Sequence, residues 1–298
     1  MKILVTGGCG FIGSHLVDAL VDKNHEVVVI DDCSADNDIF YFNDKAEYHK
    51  KSICDVDTVN NLTQNCDFIF HLAAESRLQN SILNPKRAVD VNIVGTLNIL
   101  EACRINKVKG LLFSSTSCVY GLTKSLPITE NLPEDCLNPY GSTKYAAELL
   151  IKNYVKLYNV NSCIFRYFNV FGERSPSNGP YALVTGIFLK QKKNNLPLTI
   201  VGSGLQERDF IYVKDVVNAN IMAMENWVNP KMRDGNIYNV GSGKAIKIID
   251  IAKVISENMI FIPVRQGEAD NNLCSNKKLM NAINWIPQIN ILDWLKTQ

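Results

Sequence analysis

The chain has 298 residues, 46% of them hydrophobic and 20% charged, with a formal net charge of +1. That composition suits a globular protein with a large core, and the near-neutral charge, without any local run of Lys and Arg, leaves no electrostatic footprint for nucleic acid or an anionic membrane. No apolar stretch approaches bilayer-spanning length, and nine cysteines and four histidines are scattered without a Cys-x-x-Cys pair, so free thiols, no metal site, no signal peptide and a cytoplasmic location are expected.

The first apolar run, residues 2–6, reads as a strand and ends in Gly7-Gly8-Cys9-Gly10-Phe11-Ile12-Gly13, after which Ile12, Leu16 and Leu20 recur at helical spacing. Strand, glycine turn and helix is the setting in which Gly-x-Gly-x-x-Gly binds a dinucleotide. The glycines let backbone N–H groups approach a diphosphate, and the positive end of the helix favours the anion. A second strand, residues 26–30, ends at Asp31. A carboxylate there accepts hydrogen bonds from the ribose hydroxyls and repels a 2′-phosphate, which predicts NAD rather than NADP. Asp32 and Ser34 lie beside it at the start of a polar loop, residues 32–43.

A short strand is expected at residues 48–51, a helix from Asp55-Val56, and a buried strand at residues 68–72. Pro85 leads into one long helix running to about residue 106, with Val91, Val94, Leu97, Ile99 and Leu100 as its apolar positions. A strand at 109–114, a helix at 140–158 and a strand at 162–166 follow. Repeated βα units with apolar strands predict an α/β fold, a doubly wound parallel sheet with helices on both faces. Beyond Asn169 the rhythm breaks: a Gly/Ser/Pro/Asn-rich loop (172–180) precedes a helix (181–192) and a strand (198–201). A helix at 213–224 and a strand at 236–240 look like a return to the sheet, and short mixed elements lead to a last helix near 291–296. The reading is a Rossmann domain over 1–168 plus about 213–240, and a smaller mixed α/β substrate-binding lobe over 169–212 plus 241–298. That lobe would lie over the carboxyl edge of the sheet, where ligands of such sheets bind.

The chemistry concentrates at Tyr140-Gly141-Ser142-Thr143-Lys144, entering a helix just after Asn138-Pro139. The i,i+4 spacing puts phenol and ammonium on one face. A free tyrosine, with a pKa of about 10, is a poor base at neutral pH, and a nearby ammonium together with a positive nicotinamide ring favours the phenolate. The phenol can then exchange a proton with a substrate hydroxyl. Thr116, at the end of the strand that carries Ser114 and Ser115, offers a second hydroxyl at the carboxyl edge of the sheet. Taken alone, a Tyr-x-x-x-Lys pair or a Ser/Thr-rich turn is common on protein surfaces.

In this order the residues resemble the extended short-chain dehydrogenase/reductase family, the NAD-dependent nucleotide-sugar epimerases and dehydratases, over essentially the whole chain. The matching positions are Thr6 to Gly13, Asp31, Asp55-Val56, His71-Leu72-Ala73-Ala74, Asn92, Thr116, Tyr140 with Lys144, Arg166 to Gly172, Arg208 to Ile211, and Arg265-x-Gly267-Glu268. The resemblance implies that Gly7, Gly10, Phe11 and Ile12 hold the diphosphate of NAD. It gives the adenosine ribose to Asp31 with Asp32 and Ser34, and the adenine to Asp55 and Val56. Leu72, Ala73, Ala74 and Ser114 would run beside the cofactor, Asn92 would steady the Lys144 region, and Phe168 would pack by the nicotinamide. Tyr140, Lys144 and Thr116 would be catalytic, and Asn169, Arg208, Arg265, Glu268 and Asn272 would bind the nucleotide sugar. Bidentate arginines independently suit a diphosphate.

Ser117 and Cys118 stand where the family's 4,6-dehydratases resemble Asp-Glu, the acid and base that remove water. A hydroxyl and a thiol do not replace that pair. Ala73-Ala74-Glu75-Ser76 is the counter-signal, because it reads much like a dehydratase segment. The expected activity is that of the UDP-glucose 4-epimerase-like members: oxidation at C4, rotation of the 4-keto sugar, and re-reduction. Asn272 and the stretch Gly179-Pro180-Tyr181 would line the sugar pocket, and Asn272 leaves both a UDP-hexose and a UDP-N-acetylhexosamine open. The alternatives are a dehydratase or 4-keto-sugar reductase and, from another class, a non-catalytic NAD-sensing protein. The family commonly pairs through its two long helices, which implies a homodimer.

Overall fold

A computed structural model describes residues 1–35, 40–76, 78–123, 125–177, 183–263 and 271–298. The first half runs β1 (Lys2–Thr6), α1 (Phe11–Asp22), β2 (Glu26–Asp31), β3 (Glu47–Lys50), α2 (Val56–Thr63), β4 (Phe68–His71), α3 (Leu78–Leu83), α4 (Pro85–Val89), α5 (Thr96–Asn106), β5 (Gly110–Thr116) and α6 (Pro139–Tyr158). The second half runs β6 (Ser162–Tyr167), β7 (Asn169–Phe171), α7 (Val184–Lys193), β8 (Leu198–Val201), β9 (Glu207–Tyr212), α8 (Val213–Glu225), β10 (Asp234–Val240), β11 (Ala245–Lys247), α9 (Ile248–Ile255), β12 (Met259–Ile262), β13 (Asn271–Asn272), α10 (Lys277–Ile283) and α11 (Ile291–Leu295).

Seven strands form one parallel sheet in the order β10-β6-β5-β4-β1-β2-β3. Its side chains alternate between two separate cores, as a period-2 pleat buried on both faces requires. Ile3, Val5, Val27, Val29, Phe68 and Phe70 pack with Leu16, Val17 and Leu20 of α1 and with Val216 of α8 on one face. Leu4, Val28, Ile30, Ile69, Leu111 and Phe113 pack with Val59, Ile99, Leu100, Ala147 and Ile151 on the other. The chain starts in the middle of the sheet, moves out through β2 to β3, and then returns past β1 to β4. The order therefore reverses between β1 and β4, and a crevice opens there at the carboxyl ends of the strands.

β10 and α8 belong to this large sheet and its cover, whereas β7, β9, β11 and β13 form a second sheet and β8 pairs with β12 in a third. β9 is the pivot of the second sheet: β7 pairs with its Phe210–Tyr212 end, and β11 and β13 pair with its Glu207–Asp209 end. Asp209, fully buried, accepts from the backbone N–H groups of Ser242, Gly243 and Cys274 and so pins two loops to β9. Among the described residues no helix is long and apolar enough to cross a membrane.

The expected single helix over 85–106 is corrected by the structure. It is α4 and α5 joined by a π-helical turn, Asp90–Gly95, and it is preceded by the unexpected short helix α3. A Cβ on Gly95 would lie 2.5 Å from Ile53 Cδ1, so the widened turn presses its backbone against the loop before α2. The same turn directs Asn92 inward, where it is 1% exposed.

Beneath the carboxyl ends of β5 and β6 lies a buried ion network. Arg166, wholly buried, donates through Nε to Glu148 Oε1 at 2.9 Å and through Nη2 to Glu134 Oε1 at 2.7 Å. Its guanidinium sits 4.6 Å from the centroid of the Tyr120 ring. Removing one partner of such a pair strands the other charge in a dry interior, typically at a cost of about 3–5 kcal/mol. Arg166→Met is therefore expected to lose about that much stability in urea denaturation, and Arg166→Met combined with Glu148→Leu to lose less. A double variant no more stable than the single one would contradict this account.

Candidate active site

The crevice between β1 and β4 is shaped for a dinucleotide by what its glycines exclude. Gly7 has φ +72° and a Cβ there would lie 2.7 Å from Ala73 N, so the turn after β1 rests directly on the segment after β4. A Cβ on Gly13 would lie 2.1 Å from Gly7 O, so α1 begins flush against the same turn. The N-cap of α1 is Gly10, which supplies no side-chain cap. The first-turn N–H groups thus lack a capping side chain, as an anion-binding helix end requires. At the end of β2, Asp31 Oδ2 accepts from Cys9 N at 2.9 Å and Oδ1 from Cys33 N at 2.8 Å. Both oxygens are fixed and each retains a lone pair for a ribose hydroxyl. The residues present fit NAD.

Other expected cofactor positions fall around this crevice in different ways. Leu72 N and Ala73 N donate to Thr6 O and Thr6 Oγ1, which holds the strand end that runs on to Ala74. Asp32 accepts from Ser34 N, and Ser34 Oγ accepts from Arg87 Nη2 at 2.8 Å. Asp55 caps α2 by accepting from Thr58, beside Val56, which is 58% exposed. Ser114, however, donates its hydroxyl to Tyr167 Oη at 3.0 Å. Phe168 packs in a small cluster with Val119, Tyr120, Ile128 and Cys274.

The catalytic candidates come together at the ends of β5 and α6. Asn138 caps α6 by accepting from Gly141 N at 2.9 Å, and Pro139 occupies the first turn. A Cβ on Gly141 would lie 3.1 Å from Cys118 O, so the helix starts close against the turn Ser117–Tyr120 and sets the Tyr140 phenol beside the Thr116 hydroxyl. Thr116 Oγ1 also accepts from Cys118 N. One turn on, Lys144 is 2% exposed with Nζ 4.0 Å from the centroid of the Phe113 ring.

Electrostatics at this pair differ from the sequence expectation. Burial pushes the Tyr140 phenol well up, against the lowering effect of Thr116, and brings the Lys144 ammonium down to about 7 despite the Glu148 carboxylate nearby. Desolvation disfavours both charged forms, so the chain's own lysine does not make Tyr140 a phenolate. Burial likewise raises the Cys118 thiol.

The partners of Glu75 and Asn92 tie these positions together. Glu75, 7% exposed, accepts from Arg87 Nε at 3.0 Å, and the same guanidinium reaches Ser34 and Asp32, so α4 latches the loop after β2 to the segment after β4. Asn92 accepts from Glu75 N and donates from Nδ2 to Glu75 O and Thr143 Oγ1. Only distant pairing of charges, invisible to local pattern, reveals the role of Arg87. The fully buried His71 is a third node: Thr96 Oγ1 donates to Asn92 O, so His71 Nε2–H donates to Thr96 and Nδ1 accepts from Thr6.

In the second sheet, Asn169 Nδ2 donates to Asp209 O at 2.8 Å, and Arg208 and Asn272 stand opposite each other on β9 and β13. Asn272 Oδ1 is buried with no hydrogen-bond partner among the described residues. Arg265, Gly267 and Glu268, and Gly179-Pro180-Tyr181, lie outside the described residues.

The sequence model of the NAD dependent epimerase/dehydratase family matches residues 3–241. A UDP-glucose 4-epimerase of Mycolicibacterium smegmatis is 32% identical over 305 residues, 98% of this chain and 96% of its own. The crystal structure of a Thermotoga maritima UDP-glucose 4-epimerase with UDP-glucose superposes with a TM-score of 0.92 at 31% identity, covering 99% of this chain and 96% of that one. A Methanobrevibacter ruminantium UDP-N-acetylglucosamine 4-epimerase in complex with UDP-N-acetylmuramic acid gives 0.90 at 33%, with 99% and 96% covered.

Burial lowers His71 from its ordinary 6.5 to about 3, with the Lys144 charge adding to the effect. Between those values the unfolded chain binds a proton that the folded chain refuses, so stability falls as pH drops from 6.5 toward 3, by at most about 1.4 kcal/mol per pH unit. Urea denaturation at pH 4–6 is expected to show a shallower slope of stability against pH in His71→Gln than in the parent. Parallel slopes would remove His71 from the acid limb.

Proposed function

The chain belongs to the NAD dependent epimerase/dehydratase family, and from that premise we propose that it is an NAD-dependent nucleotide-sugar 4-epimerase acting on a UDP-hexose or a UDP-N-acetylhexosamine. The observation that carries the reading is the placing of Tyr140 beside Thr116 at the carboxyl end of β5, next to Ser117 and Cys118 rather than two carboxylates. The dehydratase-like Glu75 is tied to Arg87 and is not free to act as an acid or base.

When bound, NAD supplies a hydride acceptor and donor and a positive ring that favours the Tyr140 phenolate. Gly7, Gly10, Phe11 and Ile12 would hold its diphosphate and Asp31 its adenosine ribose. Tyr140 Oη takes the proton of the 4-hydroxyl as that carbon is oxidised and returns it when the rotated keto sugar is reduced. Thr116 Oγ1 holds the same oxygen and keeps the phenol aimed at it. Lys144, buried one turn on with its ammonium brought down to about 7, offers a donor for the nicotinamide ribose. The lobe 169–212 plus 241–298 would take the nucleotide sugar, with Arg208 on the diphosphate. Asn272 Oδ1 would accept from a sugar hydroxyl or an acetamido N–H, and Asn169, Arg265 and Glu268 complete the proposed set.

NMR of reactions with UDP-glucose and UDP-N-acetylglucosamine is expected to show the galacto epimer. A 4-keto-6-deoxy product without epimer would refute the reading. Tyr140→Phe is expected to lower kcat by about 10²–10⁴-fold while NAD binding persists. Unchanged turnover would exclude Tyr140 as the proton carrier.

We also propose a cytoplasmic homodimer. The nine free thiols suit a reducing compartment. Val89, Val94, Leu149 and Leu157, on the 85–106 segment and α6, are all more than 40% exposed and offer an apolar face for a second copy. Sedimentation equilibrium is expected to give twice 33.4 kDa, falling to a single chain in Leu149→Glu/Leu157→Glu. A parent that sediments as one chain would disprove the dimer.

A further inference from the structure

Cys9, Asp31 and Cys33 meet at the ribose end of the crevice, each offering one donor atom, and the two thiol sulfurs and a carboxylate oxygen all lie within 4.8 Å of one another. They arrive from two separate segments: Cys9 from the glycine turn after β1, and Asp31 and Cys33 from the end of β2. Cys33 adopts φ +53°, a left-handed conformation that residues with side chains rarely take, and its N–H closes back onto Asp31 Oδ1. Cys9 N–H fixes the other carboxylate oxygen. Cys9 is 1% exposed, whereas Cys33 and Asp31 are only partly buried, so the group has a dry floor and an open mouth.

We propose that Cys9, Asp31 and Cys33 form a site for a thiophilic divalent cation, zinc in the first instance, that excludes NAD while occupied. Two thiolates and a carboxylate are a ligand set that zinc takes, with a solvent molecule completing the tetrahedron at the open mouth. Bond lengths of about 2.3 Å to sulfur and 2.0–2.2 Å to oxygen place donors roughly 3.5–3.8 Å apart in a tetrahedron. The donors of the present cluster, all within 4.8 Å of one another, need close by no more than roughly 1.3 Å to reach that spacing. As the two metal–sulfur bonds form, both thiol protons leave to solvent. The exclusion of NAD rests on the proposed role of Asp31, since one carboxylate cannot ligate a metal and grip the adenosine ribose together.

The test uses the full-length chain, reduced and freed of NAD, and titrates it with Cd²⁺ as a spectroscopic stand-in for Zn²⁺. Expected are one equivalent per chain, a thiolate-to-metal charge-transfer band in the ultraviolet, and release of two protons. Affinity should fall at least tenfold in Cys33→Ser and in Cys9→Ser and stay unchanged in Cys54→Ser, with circular dichroism verifying that each variant is folded. Because Cys9 is buried in the glycine turn, Cys33→Ser and Cys33→Ala decide the matter if Cys9→Ser does not fold. Saturating NAD should weaken Cd²⁺ binding at least tenfold, and Zn²⁺ should displace bound NAD as followed by filtration. No charge-transfer band, or a band unchanged in both Cys33 variants, overturns the site. A Cys33-dependent band with no effect of bound NAD overturns the exclusion. A chain that takes up Cd²⁺ in this way but binds no NAD at all upholds the metal site and instead removes the cofactor role of Asp31.

Discussion

One buried amide joins the two halves of this site. Asn92 bonds both backbone groups of Glu75, at the exit of β4, and the hydroxyl of Thr143, immediately before Lys144. It thereby couples the cofactor crevice to the helix that bears Tyr140. Such an amide is costly inside a protein unless its donors and acceptor are used, and here every bond serves a loop or helix that the chemistry needs. The π-helical turn is the backbone expression of that constraint, for it widens the helix where Asn92 enters. From Glu75 the linkage continues through Arg87 to Ser34 and Asp32, so the loop after β2 and the helix α6 share one polar network.

A second constraint is the treatment of buried charge. Arg166 and Glu148 lie in the dry interior below Thr116, and Ser115 Oγ also donates to Glu148 Oε1. Lys144 sits just above them, lowered to about 7 by burial and opposed by Glu148. The site therefore combines a phenol and an amine both biased toward neutrality with a rigid ion pair beneath them. In the proposed mechanism a cationic ring arriving with the cofactor would shift that balance toward the phenolate, which would tie proton transfer to cofactor occupancy.

Membership of the NAD dependent epimerase/dehydratase family unites a crevice for the dinucleotide with a separate set of strands centred on β9. The dependence of β9 on Asp209 explains how Arg208, Asn169 and Asn272 reach one region. Asp209 draws in the 242–243 turn and Cys274, and that draws β13 alongside β9. Asn272 Oδ1, unpaired among the described residues and beside Arg208, supports the proposal of sugar recognition there, because a ligand would satisfy that atom.

Much of the architecture was legible locally. The glycine turn, Asp31, the apolar strands and the Tyr140–Lys144 spacing are short-range patterns, and the parallel sheet follows from the alternation of strands and helices. The strand at residues 198–201 is found with the expected limits, whereas the helix over 85–106 was read without its π turn because Asn92 and Gly95 respond to partners at Glu75, Thr143 and Ile53. The sequence pattern assigns no element to β9 and resolves α9 and α10 only as short mixed elements, since their short runs are stabilised by pairing and packing with distant segments. The sequence by itself determined the sheet, the dinucleotide turn and the family, because those depend on periodicity and on residues close together in the chain. Only the tertiary structure decided that Glu75 is bound to Arg87, that burial biases both Tyr140 and Lys144 toward their neutral forms, and that Cys9 meets Cys33 across Asp31. Desolvation and long-range pairing set those properties, and neither is written in any one stretch of residues.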